Sequence, residues 1–291
     1  MQSGYVAFLD VLGFTALLAG PGGDARIEEY NRCLSKVLEV KGTVLPGKAH
    51  QFDMTGNRDA NVSEPLPDVA VFSDSIVIGS KDDSAEGLLL LVEQCSKLFG
   101  EMLNVNIAIR GAIAYGPYTR SRLSFGSFFA GRAIVEAYKF ESAQNWVGIM
   151  LAPSVVERMP DLTRRCNVEA PGFEPFKAED HVNLARRISW AACLQQCPRI
   201  PFHGCQPWED NAYDGFAIVP TAATVSPESI ATSLAGSLKA IARLKSLAPN
   251  PQVQAKYSQT HQWLYQKQSQ WANIAYWGKR LIDEGTLKGT P

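Results

Sequence analysis

The sequence predicts an α+β fold, with one sheet built on a split βαβ plan and long helices behind it. Three observations carry that reading. Short apolar strands and helical stretches follow one another as β-α-β-β-α-β-(β)-α-β up to about residue 155, the order of ferredoxin-like and palm-type sheets. The first strand ends in an aspartate and runs straight into a glycine turn. The last 65 or so residues show only helical periodicity.

The elements follow in order. Gly4–Val11 is an apolar strand ending beside Asp10, with a turn at Leu12-Gly13 and a helix start after it. Gly20-Pro21-Gly22-Gly23 breaks that helix, because proline and glycine interrupt the hydrogen-bond ladder. Asp24 reads as the N-cap of a second helix reaching about Val40, with Ile27, Tyr30, Leu34, Val37 and Leu38 on its apolar face. Lys48–Met54 reads as a short strand, and 55–67, rich in Asn, Asp, Gly and Pro, as a loop. Val69–Phe72 and Ile76–Gly79 form a predicted hairpin with Asp74 near its tip. Ser84–Leu103 has helical spacing, Val105–Tyr115 reads as a strand ended by Gly116-Pro117, Gly131–Ser142 as a helix, and Val147–Leu151 as a strand. Beyond these, Pro153–Arg165 and Ala178–Cys197 read as helical, and Tyr213–Val219 as one more strand. Ser226 is the predicted N-cap of a helix to about Leu247, with Pro227 at N1 and Ser229 at N3, and Val253 to about Leu281 is a further helix. The chain therefore divides into a core at 1–155, a remainder of the α/β part at 156–225, and a helical extension at 226–291.

Composition narrows the function classes. The chain has 291 residues, 46% hydrophobic and 20% charged, which excludes a disordered or collagen-like chain. With 28 Lys+Arg against 29 Asp+Glu, net charge is −1, so no bulk charge points to nucleic acid or a membrane surface. The N-terminus lacks a basic region and carries Asp10 in its apolar stretch, so it does not read as a signal peptide. Apolar runs such as Leu88–Val92 fall far short of the ~20 residues a membrane span needs. The expectation is a cytoplasmic protein with reduced cysteines. Cys193, Cys197, His203 and Cys205 have zinc-ligand atom types, but the usual short knuckles are absent, and buried free thiols are the better reading. Lys239, Arg243 and Lys245 read as a solvated helix face, and Trp263, Trp271 and Trp277 as core or dimer contacts.

Two aspartates stand out chemically. A carboxylate in an apolar strand is costly to bury unless paired or metal-bound. Asp10 and Asp74, on neighbouring strands, make a natural ligand pair for Mg²⁺ or Mn²⁺. The amides of Leu12, Gly13, Phe14 and Thr15 open a helix beside them and could cradle phosphates, and Arg110 could reach the same polyphosphate. The arrangement reads as a site for a metal-bound nucleoside triphosphate.

These residues carry a resemblance to the class III nucleotidyl cyclases. Phe8-Leu9-Asp10-Val11-Leu12-Gly13-Phe14-Thr15 is similar to the family's F-x-D-I-x-G-F-T. Phe72-Ser73-Asp74-Ser75 sits at its Gly-Asp hairpin, with Ser73 for the glycine. Arg110 to Pro117 resembles R-x-G-I-x-x-G-P, departing at Gly111-Ala112, and Gly131 to Lys139 resembles G-x-x-V-N-x-A-x-R. The resemblance covers about residues 4–155. It implies two divalent ions on Asp10, Asp74 and the Val11 carbonyl, a head-to-tail homodimer with composite sites, and Lys139 as the group stabilising charge at the α-phosphate of its mate's site. The departures implicate the base. Where purine cyclases carry an adenine-selecting Lys and its Asp partner, this chain has Ala70 and Phe128. The catalytic Asn and Arg positions hold Val135 and Lys139. Metal and phosphate pieces are kept while the purine-reading pair is lost. That pattern, with the C-terminal helices, resembles the pyrimidine cyclases of the bacterial Pycsar anti-phage system. The resemblance implies cyclic UMP from UTP, with CTP and cyclic CMP as the alternative, and a separate effector protein that binds the product. His50 and Gln51 are candidates for the base edge, with an ordinary strand surface the better reading. A non-catalytic nucleotide sensor, a purine or dinucleotide cyclase and a partner-binding scaffold are the rivals. The first is supported by the lost Asn and Arg, and a diguanylate cyclase is opposed by the missing GG(D/E)EF signature.

Overall fold

The computed structural model describes residues 2–20, 22–38, 68–123, 126–166, 190–200, 213–221 and 226–283. An eight-stranded sheet forms its centre. In chain order the strands are β1 (Gln2–Val11), β2 (Asp68–Phe72), β3 (Ser75–Gly79), β4 (Ile109–Leu123), β5 (Gly126–Gly131), β6 (Ile149–Leu151), β7 (Leu194–Ile200) and β8 (Tyr213–Ile218). The helices described are α1 (Phe14–Ala19), α2 (Gly23–Leu38), α3 (Ala85–Asn104), α4 (Arg132–Ala143), α5 (Pro153–Arg158), α6 (Leu162–Cys166), α7 (Pro227–Leu247) and α8 (Pro251–Asp283). The sheet order is β2-β3-β1-β4-β6-β8-β7, with β5 paired to β4 off that path. Its first four strands are the antiparallel β4-β1-β3-β2 arrangement that the βαββαβ order implies. The α+β class and ferredoxin-like core expected from the sequence are present.

The reasons are local. β1 is buried from Gly4 to Ala7 because it is sandwiched between β3 and β4, and Tyr5, Ala7, Leu9 and Val11 enter the main core. On that side of the sheet lie the apolar faces of α2 and α3, with Tyr30, Cys33, Leu91, Cys95 and Phe99 buried. Ser84 caps α3 by accepting the Gly87 N–H at 3.0 Å. At Gly111 β4 lies close against β1: a Cβ there would sit 2.5 Å from a Leu9 methyl and 2.6 Å from the Phe8 carbonyl. At the other end, Ser226 and Ser229 form a capping box over Pro227, and α7 packs along α8.

Five boundaries differ from the sequence reading, the first being the start of β4 at Ile109 instead of Val105. β4 does not stop at Gly116-Pro117 but continues to Leu123, with Ser3 facing Pro117 on β1. Pro117 falls in the gap between the stretches paired to β6 (111–113) and β5 (118–123), where a missing N–H costs no ladder bond on that side. Leu194–Cys197, expected as the end of a helix, instead opens a strand that runs to Ile200, because pairing with β8 outweighs local periodicity. α2 begins at Gly23, so Asp24 lies in the first turn rather than at the cap. The expected helix at Pro153–Arg165 is split into α5 and α6. The strand expected at 48–54, the loop at 55–67, His50, Gln51, His203 and Cys205 lie outside the described residues. Cys193 and Cys197 are buried free thiols, and burial pushes the Cys197 thiol up to about 12. Lys239, Arg243 and Lys245 are exposed, Trp271 is in the core, and among the described residues no helix is long and apolar enough to cross a membrane.

Candidate active site

β1 delivers Asp10 to the end of the sheet where the β2–β3 hairpin turns. Asp10 faces Ser75 on β3 and Arg110 on β4. Phe72 pairs with Ser75, so the hairpin has a two-residue tip of Ser73 and Asp74. The Val11 N–H donates to the Asp74 carbonyl at 2.9 Å and ties that tip to the end of β1. Ser73 has φ 56°, a left-handed conformation that a glycine adopts more readily. Tight two-residue hairpins need such a conformation, which is why serine in place of glycine still makes the turn.

The two carboxylates share one electrostatic field. Asp10 is half-buried, and its carboxyl is pushed up to about 6, first by burial, then by Glu141, then by Asp74, with Arg110 opposing. Tyr30 of α2 stands on the same side: burial, then Asp74 and Asp10, raise its phenol to about 12. Its hydroxyl donates a long 3.4 Å bond to the Ser73 carbonyl. A carboxylate that resists ionisation as Asp10 does gains from a cation placed beside it. Among the described residues no group of three or more His, Cys, Asp or Glu is placed to hold a metal. Two carboxylates with water and substrate oxygens nevertheless suit Mg²⁺, which keeps several waters.

One of the four amides expected to face phosphates is engaged inside the fold. Gly13 turns the chain at φ 72° into the six-residue α1. The Leu12 N–H already donates to the Ala108 carbonyl at 2.9 Å, so that amide is spent inside the fold. Gly13, Phe14 and Thr15 stand at the helix start, where amides lack intrahelical acceptors.

Arg110 is held by acceptors within the chain. Its Nε donates to Glu141 Oε1 at 2.7 Å, Nη2 pairs with the same carboxylate, and Nη1 donates to the Gln144 carbonyl at 3.1 Å. All three guanidinium nitrogens are engaged by protein acceptors, and Glu141 is buried on the inward face of α4 with Ala133 and Ala137. Arg110 in this state is a charge fixed beside Asp10 rather than a free phosphate ligand. Lys139 lies exposed on α4, and its charge is not among those acting on Asp10 within the chain.

Sequence reading missed Glu141 and Tyr30. Glu141 stands two residues beyond the last motif position, and Tyr30 occupied an ordinary apolar helix position. Only the packing of α4 and α2 brings them near Asp10. A further surface feature borders the site. Phe72 is 84% exposed at the hairpin, and Val71, Phe128, Val135 and Tyr138 are also exposed. Tyr138 meets Phe8 edge-on with ring centroids 5.4 Å apart. β2 and β5 touch, and β5 touches α4, so these apolar residues lie on neighbouring elements.

No family model matches the chain, and no curated protein matches it. Several solved structures are similar to it. The dimeric guanylyl cyclase domain of the RhoGC fusion protein from the aquatic fungus Blastocladiella emersonii shares 15% identity over 55% of this chain and 85% of that one, with a TM-score of 0.41. The guanylyl cyclase Cya2 shares 11% over 75% of this chain and 89% of that one, with a TM-score of 0.39. A class III adenylyl cyclase-like ATP-binding protein from Pseudomonas aeruginosa shares 15% over 57% of this chain and 37% of that one, with a TM-score of 0.38.

Proposed function

We propose that the chain is a class III nucleotide cyclase that uses a pyrimidine nucleotide, converting UTP to 3′,5′-cyclic UMP and pyrophosphate. The observation that carries the proposal is the Asp10–Asp74 pair, two carboxylates at one sheet end joined by the Val11–Asp74 backbone bond, with Asp10 pushed up to about 6. The sequence motifs around both aspartates support the same reading. Asp10, Asp74 and the Val11 carbonyl would hold two Mn²⁺ or Mg²⁺ ions, which lower the pKa of a ribose 3′-hydroxyl and neutralise the triphosphate.

The chain's own residues supply position and charge. The Gly13, Phe14 and Thr15 amides receive the outer phosphates. Arg110, neutralised by Glu141, sets the field around Asp10. In the reaction the 3′-oxygen attacks the α-phosphorus, the bond to the β-phosphate breaks, pyrophosphate leaves, and the hydroxyl proton passes to solvent. Base choice is supported by the positions that read purines in the resembling family: here they are Ala70 and the exposed Phe128, and neither side chain donates or accepts a hydrogen bond.

The apolar border of Phe72, Phe128, Val135 and Tyr138 supports a homodimer, because an exposed apolar surface beside a site gains by being covered. In such a dimer Lys139 of each chain serves the aspartates of its mate. The role that goes with this chemistry is the signal generator of a cytoplasmic anti-phage defence, with a separate effector reading the cyclic nucleotide. CTP is the second substrate. The lost Asn, now Val135, favours a nucleotide-sensing domain without turnover as the alternative. The test is metal-dependent pyrophosphate release from UTP. It should be abolished in Asp10→Ala and Asp74→Ala; nucleotide binding without release would establish the sensor instead.

A further inference from the structure

The C-terminal helix grips the segment that holds Arg110. Thr260 on α8 donates its hydroxyl to the Val147 carbonyl at 2.7 Å and accepts the Val147 N–H at 3.2 Å, both buried. Val147 stands just before β6, so one side chain satisfies both of its backbone groups. Beside it Trp263 meets Trp146 edge-on, ring centroids 5.3 Å apart, over a small core of Ala112, Met150, Cys197 and Ala217.

The gripped segment continues to the site without a gap. The Gln144 side-chain amide donates to the Gly148 carbonyl at 2.7 Å, and that carbonyl also accepts the Gly111 N–H at 3.0 Å. The Gln144 main-chain carbonyl takes the Arg110 Nη1, and Glu141, one turn back, takes the Nε. Arg110 stands opposite Asp10 in the β1–β4 register. Lys256, one turn before Thr260, comes near enough to Arg110 for the two cations to repel. The extension therefore reaches the same neighbourhood through two of its side chains.

We infer that Thr260 is a positioning residue of the nucleotide site: through Val147 and Gln144 it fixes Arg110 against Glu141, and so sets the charge beside Asp10. The inference rests on the cyclase reading for its effect on turnover, but the geometric part stands without it. Positioning at this distance works because the Thr260–Val147 and Gln144–Gly148 hydrogen bonds are buried and hold the segment whose Gln144 carbonyl and neighbouring Glu141 engage the part-buried Arg110.

The test compares Thr260→Val, which keeps the shape and loses both bonds, with Thr260→Ser, which keeps them. The first readout is solvent exchange of the Arg110 Nε–H by NMR in the full chain, assigned by its loss in Arg110→Lys. Thr260→Val should speed that exchange by about tenfold while Thr260→Ser stays near wild type. Turnover should fall by about fivefold in kcat with KM nearly unchanged in Thr260→Val, and recover in Thr260→Ser. Unchanged exchange in Thr260→Val, or faster exchange with unaltered kcat, overturns the inference. If Thr260→Val does not fold, Thr260→Ala is read in the same way. A wild-type chain without turnover would sink the cyclase reading, and the exchange arm would then decide this one alone.

Discussion

Asp10→Asn should make the metal-free protein more stable and the metal-loaded protein less so. In the folded chain the Asp10 carboxyl is pushed from 3.8 up to about 6, chiefly by burial, with Glu141 and Asp74 adding to it. That rise corresponds to about 3 kcal/mol against the charged form. Asp10 is only half-buried, so solvent screening brings the figure to about 1 kcal/mol. The sign follows from linkage: an acid whose folded pKa is raised costs stability once it is ionised, fully above pH 6 and less as pH falls toward 4. Asparagine keeps the shape and removes that cost. Urea denaturation in EDTA at pH 8 should therefore show the variant about 1 kcal/mol more stable, with the gap closing at low pH. Mn²⁺ should reverse the order, because a ligand at a hundred times its Kd stabilises the native wild type by about 2.7 kcal/mol and finds no site in the variant. A variant less stable than wild type in EDTA at pH 8, or Mn²⁺ stabilising both chains equally, would refute the reasoning.

Three further outcomes are expected. Ser73→Gly should stabilise the chain by roughly 0.5 kcal/mol in thermal unfolding, because relief of the left-handed strain at φ 56° exceeds the added backbone entropy of glycine. Lys267 is buried, and burial lowers its amine from 10.5 to about 8, so the folded state disfavours its charge and stability should rise between pH 8 and 10.5. Lys267→Met should remove that pH dependence and add up to about 3 kcal/mol at pH 7, read by denaturation across that range. Mixing inactive Asp74→Ala with inactive Lys139→Ala should restore about a quarter of wild-type turnover, since half of the randomly exchanged dimers carry one intact composite site; no recovery after subunit exchange would place all site residues in one chain.

The strands that position the site were legible because their chemistry is local. The apolar run into Asp10, the Gly13 turn and the Ser73-Asp74 tip each announce themselves within a few residues, and the sheet order follows from the sequence order of the elements. What was not legible depends on partners far along the chain. Arg110 and Glu141 lie 31 positions apart and meet only because α4 crosses β4, which turns a candidate phosphate ligand into an ion pair. Tyr30 reads as core and is core, and what its sequence context does not show is that its hydroxyl reaches the hairpin tip 43 positions along the chain. β7 was read as helix because its local spacing was ambiguous and its partner β8 supplies the decisive hydrogen bonds. The Leu12 amide was assigned to phosphate because nothing in the sequence shows that Ala108 already receives it.

The most direct test of the central claim is incubation of the purified chain with an equimolar mixture of ATP, GTP, CTP and UTP in Mn²⁺, with products resolved by mass and Asp74→Ala alongside. Cyclic UMP, formed only by the unmutated chain, is the predicted result. Cyclic AMP or cyclic GMP would contradict the reading of Ala70 and Phe128, and a product that persists in Asp74→Ala would contradict the aspartate pair as the site of the reaction.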